Sequence, residues 1–217
     1  VFCLILKDDY NNYIVKQINN KTIYDLVTTD KLNYLFVNNG STDGSYELIL
    51  NSKIKFLNLK KNKGVGYALI LGYLFAKKHG YDYLIHMAGN GKMKPSQIKR
   101  LIEPILIENY DFVNGSRYLD GGSNKNNPIY RTILIKCFSL IVSIFLKKKI
   151  TDATCGFRAF KVNIFNNFKK TFLKKELYTY GYEYFTVGKV IKSKNVNYIE
   201  VPVGMDYPSK KNYTKIR

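Results

Sequence analysis

Histidine, cysteine and acidic residues are all scarce in this chain of 217 residues, which has two histidines, three cysteines and 16 carboxylates against 35 lysines and arginines. Cys3, Cys137 and Cys155 are far apart and lack paired spacing, which excludes a disulfide framework or a cysteine metal cluster and suits a reducing cytosol. His79 and His86 are too few and too separated to hold a metal. Proline is limited to five residues while 46% of the chain is hydrophobic and 15% aromatic, a balance that excludes disorder. No uninterrupted apolar run reaches the roughly 18 residues a membrane-spanning helix needs. The opening VFCLIL is too short for a signal-peptide core and reads as a first strand, so the expectation is a soluble or peripheral cytoplasmic protein.

Positive charge is what the chain has in excess. The net charge of +19 and pI near 9.7 point to an anionic partner: nucleic acid, an anionic membrane surface or a phosphorylated substrate. Compositional bias is the plainer source, because Lys, Asn, Ile and Tyr are all abundant. The lysines are scattered, with no zinc-finger spacing and no recognition-helix pattern, which argues against nucleic acid.

Strand-length apolar runs recur at 1–6, 33–38, 54–59, 81–87, 110–116 and 196–203, and helically spaced segments lie between them at 43–51, 66–79 and 96–108. This alternation predicts an α/β fold with a mostly parallel central sheet flanked by helices. Ligands of such sheets bind beyond the carboxyl ends of the strands, which selects the loops NNGSTDG, AGNGKMK and GSRYLDGG. Glycines let backbone N–H groups approach phosphate, and Ser41, Thr42 or Asp43 can cap the following helix; a plain turn and cap is the alternative. Further on, the apolar segment Ile133 to Leu146 ends in Lys147 to Lys149. It reads either as a helix lying in an anionic membrane interface or as a buried helix whose last lysines suit its dipole.

The ordered series LFVNNGSTDGS, NKGVGYALILGYLFAKKHGYDYLIHMAGNGK, FVNGSRYLDGG, NPIYR, TDATCGFRAFK and IEVPV resembles family-2 glycosyltransferases of the dolichyl-phosphate mannosyltransferase and polyprenyl-phosphate glycosyltransferase branch. The resemblance implies one GT-A domain over residues 1–217, with a nucleotide-sugar half at 1–116 and an acceptor half at 117–217. It implies an inverting enzyme that moves a sugar from a nucleotide diphosphate donor to a polyprenyl phosphate or other lipid-linked acceptor, working peripherally at the cytosolic membrane face. By position, Asn38, Asn39, Gly40, Ser41, Asp43, Asn62, Gly64 and Gly66 fall on the nucleotide side, as do Ala88, Gly89, Asn90 and Lys92. Arg117, Arg131, Arg158 and Lys215 fall on the acceptor and phosphate side.

The chain departs from the family where an Asp-x-Asp motif would hold a divalent ion, because Ala88-Gly89-Asn90 stands there. Mg²⁺ and Mn²⁺ take carboxylate oxygens, so Asn90 alone is a weak ligand and any metal requirement is expected to be slight or absent. Lys92 and Lys94 add cations to the same loop; a unit charge pair at about 4 Å contributes roughly 4 kcal/mol at an effective dielectric of 20, enough to stabilise a leaving diphosphate. Surface lysines are the alternative. Asn38 and Asn39 replace an acidic pair and can pair with a base or ribose, or simply shape a turn. Asp152 and then Glu183 are the candidates for a catalytic base or an acceptor-positioning group, Asp152 also being suited to capping its own turn. A catalytically inactive nucleotide- or phosphate-binding relative is the competing function.

Overall fold

A computed structural model describes residues 2–6, 33–42, 44–51, 55–168 and 171–207. Two of the candidate residues, Asp43 and Lys215, lie outside the described residues. The strands are β1 (Phe2–Leu6), β2 (Asn33–Asn39), β3 (Lys55–Leu59), β4 (Tyr83–Met87), β5 (Phe112–Ser116), β6 (Ser123–Lys125), β7 (Arg158–Lys161), β8 (Tyr198–Pro202) and β9 (Gly204–Asp206). The α-helices are α1 (Ser45–Leu50), α2 (Val65–Lys78), α3 (Ile98–Ile107), α4 (Ile129–Leu146) and α5 (Gly181–Lys192).

Seven strands form one sheet in the order β3-β2-β1-β4-β7-β5-β8, and β6 and β9 form a separate parallel ribbon. Strands β2, β3, β4, β5 and β8 share one direction, as expected of a mostly parallel sheet. The expectation needs correcting at the level of pairing, because β1 and β7 run the other way and sit between the others. Only the β2–β3 and β5–β8 pairs are therefore hydrogen-bonded in parallel.

Apolar cores cover both faces of the sheet. On one face Leu35, Val37, Leu84, Phe112 and Phe160 pack with Leu69 and Tyr73 of α2 and Tyr182 and Val187 of α5. On the other, Ile85, Val113, Ala159 and Val201 meet Ile98, Leu101, Ile102 and Ile105, the i, i+3, i+4, i+7 stripe of α3. Each fully buried side chain of this size contributes about 1.5–3 kcal/mol. Strands β4 and β5 are buried along their whole length; β4 reads as a mostly apolar run, while β5 carries Asn114 and Ser116 as buried polar residues.

Helix α4 is different. Of its 18 residues only Ile135 and Ser139 are buried, while Leu134, Ile141 and Phe145 are 63%, 51% and 80% exposed. The buried-helix reading of this segment is thus overturned. So is the expectation that no segment has membrane-spanning length. The helix begins at Ile129, and its 18 residues, with a mean hydropathy of 1.9, are long and apolar enough to cross a membrane. No uninterrupted apolar run marks it, because Arg131 and Lys136 break the apolar sequence.

Candidate functional site

Because β2, β4 and β5 share a direction, the loops leaving them at residues 40, 88 and 117 open on one edge of the sheet. Strand β7 starts from that same edge with Arg158. Registered pairing carries a polar row across four strands just beneath the edge: His86 opposite Arg158, Arg158 opposite Asn114, and Asn114 opposite Glu200. Arg158 Nε donates to Asn114 Oδ1 and to the Cys155 carbonyl, both at 2.8 Å, and Nη1 donates to the Glu183 carbonyl at 2.7 Å. His86, wholly buried, has its pKa pushed down to about 3 by desolvation and by the Arg158 charge, so it is neutral.

Asp152 lies in the turn between α4 and β7, with no solvent exposure. Arg117, the first residue beyond β5, grips it twice: Nε to Oδ2 at 2.6 Å and Nη2 to Oδ1 at 2.8 Å. The Arg117 N–H and both donors of Thr154 complete its shell. Burial alone would make Arg117 easier to deprotonate, but Asp152's hydrogen bonds and charge raise its pKa further than burial lowers it. Glu200 sets this turn from below, accepting from Thr151 N at 2.7 Å, Thr151 Oγ1 at 2.6 Å and Asp152 N at 3.2 Å. The capping role foreseen for Asp152 is present in its bonds to Thr154, and a charge clamp is added to it. All three Arg117 side-chain nitrogens are engaged, since Nη1 donates to the Tyr207 hydroxyl at 2.6 Å.

Glu183, on the first turn of α5, faces Gly156. A Cβ built on Gly156 would come within 2.2 Å of Glu183 Oε1, so the glycine of CGFR leaves the space this carboxyl occupies. Burial raises the Glu183 pKa, and the charges of Arg158 and Arg117 draw it back. Tyr180 beside it is likewise raised by burial and by Glu183, and opposed by Arg131. Arg158 and Arg117 thus act on the Glu183 carboxyl, while Arg131 acts on Tyr180, three residues before it.

The loop after β4 is tied to the segment 203–207. Met93 bridges to Met205, the Lys92 carbonyl accepts from Asp206 N at 3.2 Å, and Lys94 forms an ion pair with Asp206 at 2.5 Å. Lys94 is therefore balanced by a carboxylate rather than offered to a ligand. Lys92 Nζ stands 4.7 Å from the centre of the Tyr207 ring, and Arg131 Cζ stands 5.5 Å from the same ring. The residues at 88–90 do not fit a divalent ion: a methyl group, a glycine, and one amide oxygen that already accepts from Lys92 N at 3.2 Å. Among the described residues no three His, Cys, Asp or Glu side chains gather in a way that could hold one.

Among the residues expected on the nucleotide side, the asparagines bond to each other and to backbone N–H groups of the same loops. Asn38 Nδ2 donates to Asn58 at 2.7 Å while its Oδ1 accepts from Ser41 N; Asn39 Nδ2 donates to Asn62 at 3.0 Å while its Oδ1 accepts from Lys63 N. Asn62 also accepts from Gly64 N at 2.9 Å. These bonds shape the turns, leaving Asn38 and Asn39 one N–H and one lone pair each for a ligand, while the Asn62 carbonyl oxygen is filled. Gly64 and Gly66 are explained by packing: Cβ atoms there would lie 2.1 Å from the Tyr178 carbonyl and 2.0 Å from the Leu177 carbonyl. The backbone of 177–179 thus lies directly on the start of α2.

Sequence reading missed Glu200, Thr154 and Tyr207. Glu200 carried a usable signal, a lone carboxylate inside the apolar strand IEVPV, which demands donors once paired into a sheet. Tyr207 carried none.

Comparison with known proteins is consistent with this architecture. Undecaprenyl-phosphate mannosyltransferase of Micrococcus luteus is 31% identical over 134 residues, 59% of this chain and 54% of that one. Polyprenol monophosphomannose synthase of Mycolicibacterium smegmatis is 29% identical over 137 residues, 60% of this chain and 51% of that one. UDP-N-acetylglucosamine–dolichyl-phosphate N-acetylglucosaminyltransferase of Methanococcus voltae is 27% identical over 193 residues, covering 81% and 75%. The chain spans about half the length of the Micrococcus and Mycolicibacterium relatives. The model of glycosyl transferase family 2 matches residues 13–168, from before β2 to beyond β7, and the chain belongs to that family.

Proposed function

We propose that the chain is an inverting glycosyltransferase that moves a sugar from a nucleotide diphosphate to a polyprenyl phosphate, without a required metal ion, at the cytosolic face of a membrane. The observation that carries this reading is the grouping of cations at the sheet edge, with Arg158 bonded to the Glu183 carbonyl and Lys92 and Arg131 both against the Tyr207 ring. A phosphate acceptor is already anionic and needs no base to remove a proton. This suits a site whose Asp152 is fully bonded to Arg117 and Thr154. An oxygen of the acceptor phosphate attacks the sugar carbon, the bond from that carbon to the diphosphate breaks, and the nucleoside diphosphate leaves with the electron pair.

Arg131 is the arginine that meets the acceptor, while Arg158 supplies positive potential from beneath and Arg117, balanced by Asp152, holds the turn. Lys92 takes over part of the charge balance that a metal provides elsewhere. The exposed apolar side of α4 and the lysines 147–149 at its end supply the membrane contact. The relatives named for undecaprenyl, polyprenol and dolichyl phosphates support a lipid acceptor. The test is transfer from a panel of sugar nucleotides to a short polyprenyl phosphate in chelator. Binding without turnover across the panel favours the alternative, an inactive nucleotide-binding relative, which the internal bonding of Asn38 and Asn39 would suit.

A further inference from the structure

Helix α4 carries polar groups on its inward side. Thr132, Ser139 and Ser143 fall on one stripe of the helix and bond to the body of the protein. Thr132 Oγ1 accepts from Asn124 Nδ2 at 3.1 Å and from Asn127 Nδ2 at 3.0 Å. Ser139 Oγ accepts from Ala153 N at 3.0 Å, and Ser143 Oγ accepts from Ile150 N at 2.9 Å while donating to the Ser139 carbonyl at 2.7 Å. The amides of the turn that holds Asp152 are thus divided: Ile150 and Ala153 bond to the helix, Thr151 and Asp152 to Glu200 of β8, and Thr154 to Asp152 itself. The turn hangs between α4 and the sheet, and the Arg117 clamp hangs on the turn.

Hydroxyls, more than apolar burial, therefore seat this helix. Ile135 is its one buried apolar residue, and Phe138 meets Tyr184 edge-on at 5.4 Å between ring centres. A segment with so little buried apolar area opens at a small part of the global free energy. A bilayer over Leu134, Ile141 and Phe145 adds the missing burial from outside, and the exposed Lys147 to Lys149 at the helix end suit an anionic surface. We infer that Ser139 and Ser143 are positioning residues that couple the seating of α4 on an anionic membrane to the Asp152 turn, so that contact with lipid tightens the Arg117–Asp152 clamp. This rests on the membrane contact proposed above and deepens it, since α4 then acts on the site as well as attaching the chain.

The test is hydrogen exchange of the whole chain, read by mass spectrometry at the amides of Arg117, Thr151 and Asp152, with and without vesicles of equal parts phosphatidylglycerol and phosphatidylcholine. Arg117 N donates to Asp152 Oδ2 and the other two amides to Glu200, so removing a serine of α4 does not free them directly. Vesicles slow their exchange about tenfold in wild type, the equivalent of about 1.4 kcal/mol. In the double variant Ser139→Ala with Ser143→Ala, sedimentation with vesicles is unchanged and the slowing falls below about twofold. Ser143→Ala alone loses part of the slowing, and Ser143→Thr, which keeps the hydroxyl, retains it. Serines that were only structural would change the exchange rate of the bare chain and leave the ratio with and without vesicles as in wild type, a result that overturns the inference. If the double variant does not fold, Ser143→Ala, at a half-buried position, decides the matter: an undiminished ratio overturns the inference, as does equal loss in Ser143→Ala and Ser143→Thr. A wild type that sediments with vesicles but shows no slowing sinks this inference alone, and one that does not sediment sinks the membrane contact with it. Exchange needs no turnover, so a chain that shows the slowing and transfers no sugar sinks the transferase reading and leaves the coupling standing.

Discussion

Replacing Asp152 by asparagine separates a clamp from a base. The amide has the carboxylate's shape but no charge, and it puts an N–H where an oxygen accepted from Arg117 or Thr154. Two charge-assisted bonds from the Arg117 side chain, at 2.6 and 2.8 Å, are lost or inverted, and Arg117, 5% exposed, keeps its charge without a counter-ion. Breaking a buried pair from one side in this way costs about 3–5 kcal/mol. At about 2–4 °C per kcal/mol for a protein of this size, the melting temperature falls by about 6–20 °C. The double variant Asp152→Leu with Arg117→Met removes both charges and melts closer to wild type than either single change. Urea unfolding followed by circular dichroism provides the free energies. If Asp152→Asn melts within about 1 °C of wild type while transfer collapses, Asp152 is a base and the clamp account is wrong.

Three further outcomes follow from named contacts. The raised Glu183 pKa means the folded chain holds that proton more tightly than the unfolded chain, so the stability it contributes is full below the ordinary carboxylate range and lost as pH rises through the raised value. Glu183→Gln therefore gains stability relative to wild type as pH rises above the ordinary carboxylate range, and a difference that stays flat as pH rises contradicts the assignment. Gly66→Ala, whose Cβ would meet the Leu177 carbonyl at 2.0 Å, destabilises by about 1–3 kcal/mol or more, whereas Gly188→Ala, with nothing within 4 Å, stabilises by about 0.5–1 kcal/mol; equal melting shifts would refute the packing reason for Gly66. Changing Leu134, Ile141 and Phe145 together to glutamate weakens sedimentation with anionic phospholipid vesicles by about tenfold or more; unchanged sedimentation refutes α4 as the membrane contact.

Much of the fold was legible where one physical signal dominated. Helices α2 and α3 lie within two residues of the spans read from apolar spacing, because their buried stripes follow the helical period. Strand β4 stood out as a mostly apolar run because both faces are covered, and β5 showed only its apolar start at Phe112 and Val113. Strand β7 did not. RAFK is short and opens on an arginine, tolerated at 2% exposure because Asn114 and Cys155 accept from its Nε and Glu183 from its Nη1. The reversed placement of β7 then follows from pairings between residues about 75 apart, such as His86 with Arg158, which no local pattern encodes. The sharing of Tyr207 between Lys92 and Arg131 is of the same kind. Individual residues of the site were legible as types suited to phosphate, but their partners were not, and for Asp152 the partner decides the role.

Transfer of sugar to a polyprenyl phosphate, measured in chelator and again with added Mg²⁺ or Mn²⁺, tests the central claim most directly. The account predicts sustained turnover in chelator, little gain on adding metal, and a loss of about tenfold in Lys92→Met, a cation contact worth on the order of 1–2 kcal/mol. Turnover that is abolished by chelator and restored by metal would contradict it.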